Sequence, residues 1–128
     1  MWGRKERRQF IRLPFSREAT LEGPSGRFRA TLEDLSLSGA RLRFGGEIVG
    51  PERGHYRLTA FLSPGWPVRM TVSLMYRRGD RAGFRCEAVD QQSLANLKGT
   101  LALYYGEGEA LDAELNTFRS LFAVTGAE

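Results

Sequence analysis

Short apolar–polar alternations, broken at close intervals by turn-forming residues, run from residue 16 to residue 89. The segments 27–32 and 40–44 alternate as strands with one buried face do. A cluster such as 23–26 (Gly-Pro-Ser-Gly) then ends a strand sharply. Strands linked this tightly favour an antiparallel barrel, because a closed or nearly closed sheet leaves no bare edges. We predict six strands, at residues 19–21, 27–32, 40–44, 56–62, 68–76 and 82–89.

The hydrophobic period changes after residue 90. Apolar side chains at 94, 97, 101 and 104 fall on one face of a helix, which Asp90 is placed to cap. Gly106 or Gly108 ends this helix, and a second stripe follows at 111, 115, 118 and 122. We expect both stripes to close or cover the barrel; a dimer interface is the alternative use of such a stripe.

Composition limits the classes of protein that this chain can be. Its 128 residues suit one domain. We divide the chain into a flexible basic arm at 1–13 and a domain at 14–128, with the barrel at about 14–90 and a helical tail at about 91–125. One cysteine, Cys86, and one histidine, His55, exclude an internal disulfide and a zinc site of Cys and His ligands. The sequence has no long apolar run and no signal peptide, so we expect a cytoplasmic protein without a transmembrane segment. We also expect no bound metal and no enzymatic activity.

Two short motifs carry the chemistry. The first, R-x-x-x-R, comprises Arg8 and Arg12 in a strongly basic N-terminal segment. One guanidinium group can bind two phosphate oxygens at once, and it can also hydrogen-bond the O6 and N7 edge of guanine. The second, D-x-S-x-x-G, comprises Asp34, Ser36 and Gly39. A carboxylate accepts hydrogen bonds from the N–H donors of guanine, and glycine permits a bend or a close approach. Taken singly, the first motif is common in an arginine-rich chain and the second is typical of a plain turn.

Together, the order and spacing of the two motifs resemble the signature of PilZ domains, bacterial receptors for cyclic di-GMP. The stretch 83–86 (Gly-Phe-Arg-Cys) is similar to one in the family's last hairpin, and the helical tail resembles the family's C-terminal helix. The resemblance covers roughly residues 5–122. It implies a mainly β fold, a six-stranded antiparallel Greek-key-like split barrel with C-terminal α-helices.

The resemblance also implies roles for individual residues. Arg8 and Arg12 would bind phosphates and guanine, while Asp34 and Ser36 would hydrogen-bond a guanine and Gly39 would give the ligand room. Arg7 is an additional phosphate contact, and Tyr76 either stacks on a base or packs on the barrel. Weaker candidates for ligand contact are Arg77, Arg78, Gly83 and Arg85.

The predicted function is a cyclic di-GMP receptor that acts as an adaptor on an unknown downstream protein, as a monomer or homodimer. Two alternatives remain: a PilZ-like interaction adaptor that binds no nucleotide, and a small-barrel nucleic-acid binder. The second would expose several aromatic side chains on one sheet face. We interpret the strand aromatics Phe28, Phe44 and Phe61 as core instead, so we expect no nucleic-acid partner.

Overall fold

The computed structural model describes residues 13–24, 26–45, 54–62, 67–106, 108–121 and 123–125. Seven strands and two helices lie within these ranges. The strands are β1 (Leu13–Gly23), β2 (Gly26–Ser36), β3 (Gly39–Arg43), β4 (His55–Phe61), β5 (Pro67–Arg78), β6 (Arg81–Asp90) and β7 (Ala123–Thr125). The helices are α1 (Gln91–Tyr105) and α2 (Glu109–Leu121). β1 begins at Leu13, the last residue of the predicted arm.

Strands β1 to β6 form a closed antiparallel barrel. The order β3-β2-β1-β4-β5-β6 closes on itself through an additional pairing of β3 with β6. Two of the adjacent pairs, β1–β4 and β3–β6, join strands that are not consecutive in the chain. The predicted mainly β, six-stranded barrel is therefore confirmed, and its closure gives each of these six strands a paired neighbour on both sides.

The barrel interior follows from the period-two alternation of the strands. Leu32, Leu42, Leu58 and Met70 are buried, whereas their immediate neighbours in sequence are more exposed or polar. Phe44 belongs to this core, and Phe28 meets it edge-to-face with ring centres 6.5 Å apart. The assignment of Phe61 to the core is wrong: it is 46% exposed, since Ala60 and Leu62 take the inward positions.

Both predicted helices are present, and their apolar stripes are buried. The Asp90 carboxylate caps α1 by accepting from the Ser93 amide at 2.6 Å, and Gly106 ends the helix in a positive-φ conformation. The Ser93 hydroxyl accepts from the backbone amide of Arg69 at 2.8 Å and so joins α1 to β5. The stripes of both helices enter the same buried cluster as the strands, through Leu94, Leu97, Leu101, Leu111, Leu115 and Phe118.

The short strand β7 was not predicted, because three residues carry no readable alternation. It pairs in parallel with residues 88–90 of β6. β3 uses residues 81–85 of β6, and β5 runs along the whole of β6. β3 and β7 therefore pair with the same edge of β6, and β7 lies beyond the end of β3. No helix among the described residues is long and apolar enough to cross a bilayer.

Candidate functional site

The D-x-S-x-x-G motif forms the tight connection between β2 and β3. Ser36 ends β2, Gly39 begins β3, and the two residues are paired across the turn. The Ser36 hydroxyl is fully buried and accepts from the Ser38 amide at 3.1 Å, with the Ser38 hydroxyl 2.9 Å away. In this structure Ser36 therefore closes its own turn, and its predicted bond to a guanine stays a prediction.

Gly39 lies where the backbones of β3 and β6 pass close to each other. A Cβ at this position would overlap the carbonyl oxygen of Phe84 and stand 3.1 Å from the Cα of Arg85. Beside it, the amide of Cys86 donates to the carbonyl of Ser38 at 2.7 Å. The absence of a side chain at Gly39 thus allows the barrel to close at this seam; the predicted role of leaving room for a ligand remains untested.

Asp34 is held by an arginine that the sequence analysis missed. Asp34 is 6% exposed, and its Oδ2 accepts from both Nε and Nη2 of Arg41, at 3.0 and 2.6 Å. These hydrogen bonds are the main reason that the pKa of Arg41 is raised above its ordinary value, and the negative charge of Asp34 is the second. Arg41 reaches Asp34 because the two are directly paired between β2 and β3, after a register shift at Glu33. That shift leaves no signal in the sequence.

Asp34 belongs to a row of residues that crosses four neighbouring strands. Asp34 of β2 is paired with Arg41 of β3, which is paired with Gly83 of β6, which is paired with Tyr76 of β5. A Cβ on Gly83 would overlap the ring of Tyr76, so this ring lies directly over the glycine. Tyr76 is nevertheless 44% exposed. The structure therefore brings three predicted site residues, Asp34, Tyr76 and Gly83, into one surface row.

Arginines surround this row on the outer barrel surface. Arg78 and Arg85 are exposed, and the guanidinium carbon of Arg78 lies 6.0 Å from the centre of the Tyr76 ring. Arg77 is exposed too, but it is paired with the buried Ala82 and so belongs to the opposite face of β5. Arg85 is paired with Gly39 on one side and with Ser73 on the other. The surface next to the row is thus cationic and carries an accessible aromatic face, which suits a ligand with phosphates and bases.

Glu33 lowers the positive charge at one end of this surface. Its two carboxylate oxygens bind Arg81 at 3.0 Å and Arg43 at 3.3 Å. These pairs are partly exposed and so hold both arginines only weakly. Arg43 lies two residues beyond Arg41 on β3, so neighbouring outward positions of one strand serve different carboxylates.

The predicted arginines Arg7, Arg8 and Arg12 lie outside the described residues. The first described residues show where the chain that follows them joins the barrel: Leu13 is paired with Leu35, and Pro14 with Asp34. The polypeptide entering β1 is therefore attached beside the D-x-S-x-x-G motif. Within the described ranges, no group of three or more His, Cys, Asp or Glu side chains is placed to hold a metal ion.

Comparison with known proteins decides the family. The model of the PilZ domain matches residues 6–102, which include both motifs, all six barrel strands and most of α1. The chain belongs to the PilZ family. Helix α2 and strand β7 lie beyond the matched range. The match agrees with the resemblance that the two motifs indicated.

A solved structure supports the fold of this PilZ protein. The inhibitor of motility MotI/DgrA of Bacillus subtilis superposes with a TM-score of 0.63 over 84% of this chain, at 12% identity. That alignment covers 58% of the Bacillus protein, so the chain spans little more than half of its length. An uncharacterized Legionella protein has a TM-score of 0.43 and 13% identity, over 86% of this chain and 98% of that one. At 12% identity, the likeness to the Bacillus protein concerns the fold alone.

Proposed function

We propose that this PilZ protein is a receptor for cyclic di-GMP that changes conformation on binding and signals to a downstream protein, without catalysing a reaction. The observation that carries the proposal is the surface row of Asp34, Arg41, Gly83 and Tyr76 beside the point where the chain enters β1. The row offers a guanine nucleotide a carboxylate and an exposed aromatic ring, and Arg41 is bonded to that carboxylate in the ligand-free protein. Membership of the PilZ family supports cyclic di-GMP as the ligand.

Each part of the ligand has a matching group in this proposal. A guanine donates N1–H and N2–H to the Asp34 carboxylate. A base lies on the exposed Tyr76 ring, as aromatic platforms bind bases. Three strand spacings of about 4.8 Å separate Asp34 from Tyr76, or about 14 Å along the surface. Two arginines four residues apart in an extended arm span about 13 Å. The R-x-x-x-R motif can therefore hold phosphates over the length of the same row.

Signalling to a partner follows from where the ligand would sit. The basic arm would close over the nucleotide and change the surface that the barrel presents, which is the conformational change of an adaptor. The Bacillus neighbour is described as an inhibitor of motility.

Isothermal titration with cyclic di-GMP tests the proposal. We expect saturable binding to the wild-type protein, and a loss of about 1–3 kcal/mol in Arg8→Ala and in Arg12→Ala, the scale of a bidentate guanine contact. Arg27→Ala is the matched control. Arg27 is exposed on β2 at the opposite end of the strand from Asp34, and it should leave affinity unchanged.

Two results would redirect the interpretation. A folded wild-type protein that gives no heat with cyclic di-GMP supports an interaction adaptor without a nucleotide ligand. Affinity for RNA or DNA that falls steeply with salt, together with unchanged cyclic di-GMP affinity in both arginine variants, supports a nucleic-acid binder instead.

A further inference from the structure

The Asp34 carboxylate already has an occupant in the ligand-free protein. Its Oδ2 accepts two hydrogen bonds from Arg41, through Nε at 3.0 Å and Nη2 at 2.6 Å. A carboxylate oxygen offers about two lone-pair sites, so both sites of Oδ2 are used. A guanine that engages both carboxylate oxygens through N1–H and N2–H therefore has to displace at least one Arg41 bond.

Arg41 presents the same chemical pattern as the ligand. A guanidinium group carries N–H donors on nitrogens that share one planar carbon, and Arg41 uses two of them on Asp34. The Watson–Crick edge of guanine also carries N–H donors on two nitrogens that share one planar carbon. Either group can satisfy the buried carboxylate, so exchanging one for the other leaves Asp34 hydrogen-bonded throughout.

We infer that Arg41 is an internal competitor of guanine at Asp34 and that its release sets the affinity of the site for cyclic di-GMP. This inference rests on the proposed function. It extends that function by identifying an affinity-determining residue that belongs to neither motif.

The surroundings of Arg41 permit this exchange. Its side chain is 47% exposed, so a released guanidinium is hydrated without a large rearrangement. The buried partner, Asp34, stays in place on β2. Exchange thus requires rotation of one surface side chain, while the strand pairing is kept.

The Arg41→Lys variant tests the inference by keeping the charge and removing the fork. A lysine ammonium reaches Asp34 as a point charge and cannot donate from two linked nitrogens. The loss of one hydrogen bond in the free state should tighten cyclic di-GMP binding about three- to tenfold. The matched control is Arg43→Lys, on the same strand and paired with Glu33 instead, and its affinity should equal that of the wild type.

A second measurement follows the Arg41 side chain in the wild-type protein. The Nε–H signal of Arg41 in a nitrogen–proton correlation spectrum should be protected from exchange in the free protein. On saturation with cyclic di-GMP it should move to the position of a solvated arginine. The Nε–H signals of Arg43 and Arg81, both near Glu33, should stay unchanged.

The outcomes separate this inference from the proposed function. If the wild type binds no cyclic di-GMP, the proposed function fails, and the inference with it. If the wild type binds but Arg41→Lys binds equally or more weakly, Arg41 is not a competitor and the proposed function stands. An Arg41 Nε–H signal that remains protected in the saturated complex overturns the inference in the same way.

Discussion

A methyl group at Gly39 should disrupt barrel closure. In Gly39→Ala the new Cβ would overlap the carbonyl oxygen of Phe84, an atom of the β6 backbone that cannot rotate away. β3 and β6 must then separate locally. Forced overpacking of this kind costs typically about 1–3 kcal/mol. The neighbouring bond from the Cys86 amide to Ser38 is weakened as well, which adds about 1 kcal/mol.

The expected total is therefore about 3 kcal/mol of unfolding free energy, which lowers Tm by roughly 10 °C in a chain of this size. Urea titration and a thermal melt measure both quantities. The matched control is Gly45→Ala, just beyond β3, where an added Cβ meets nothing within 4 Å; it should change stability by less than about 0.5 kcal/mol. Equal stability of the two variants would refute the steric argument at the β3–β6 seam.

Two further predictions concern the capped helix and the buried thiol. Replacing Asp90 by Ala removes the hydrogen bond to the Ser93 amide and should lower the free energy of unfolding, measured by urea titration, by about 1 kcal/mol. Gln91→Ala, at an exposed position, should leave stability unchanged. Equal effects of the two substitutions would contradict the capping role. Burial raises the pKa of the Cys86 thiol to about 12, against roughly 8.5 for a free cysteine. Between these two pKa values the folded state keeps a thiol proton that the unfolded chain releases. The contribution of the neutral thiol to the stability of the fold is therefore complete below about pH 8.5 and is lost as the pH rises to 12. The free energy of unfolding of Cys86→Ala should therefore fall less steeply between about pH 8.5 and 12 than that of the wild type. Parallel pH profiles of the two proteins would be inconsistent with a buried neutral thiol.

The barrel could be predicted from the sequence because its signals are local. Alternation in segments such as 40–44, and turns such as 23–26, mark each strand independently of its partners. The Asp90 cap and the Gly106 break are also contained in single helix ends. Phe61 shows the limit: a large apolar residue on a strand was interpreted as core, but the inward positions beside it belong to Ala60 and Leu62. Side-chain size did not reveal which face of β4 points inward.

The site could be predicted only in part, because its contacts depend on the register between strands. Asp34 is predicted as a motif residue and Tyr76 as a candidate implied by the family resemblance, and the structure places them in one row with Gly83. Arg41 was missed because its pairing with Asp34 depends on the register shift at Glu33. An arginine seven residues after an aspartate is unremarkable until a turn folds one strand back on the other.

The same segment holds the proposed ligand site and the barrel seam, so binding and stability are coupled here. Gly39 and Ser38 contact β6 directly, while Asp34 and Ser36 lie within five residues of them on the chain. A ligand that binds only the folded state at one hundred times its Kd adds about 2.7 kcal/mol to stability. That is close to the cost expected for Gly39→Ala. If the variant keeps its pocket, saturating cyclic di-GMP should restore most of the lost Tm; if the opened seam also displaces Asp34, the melt should not respond to the nucleotide.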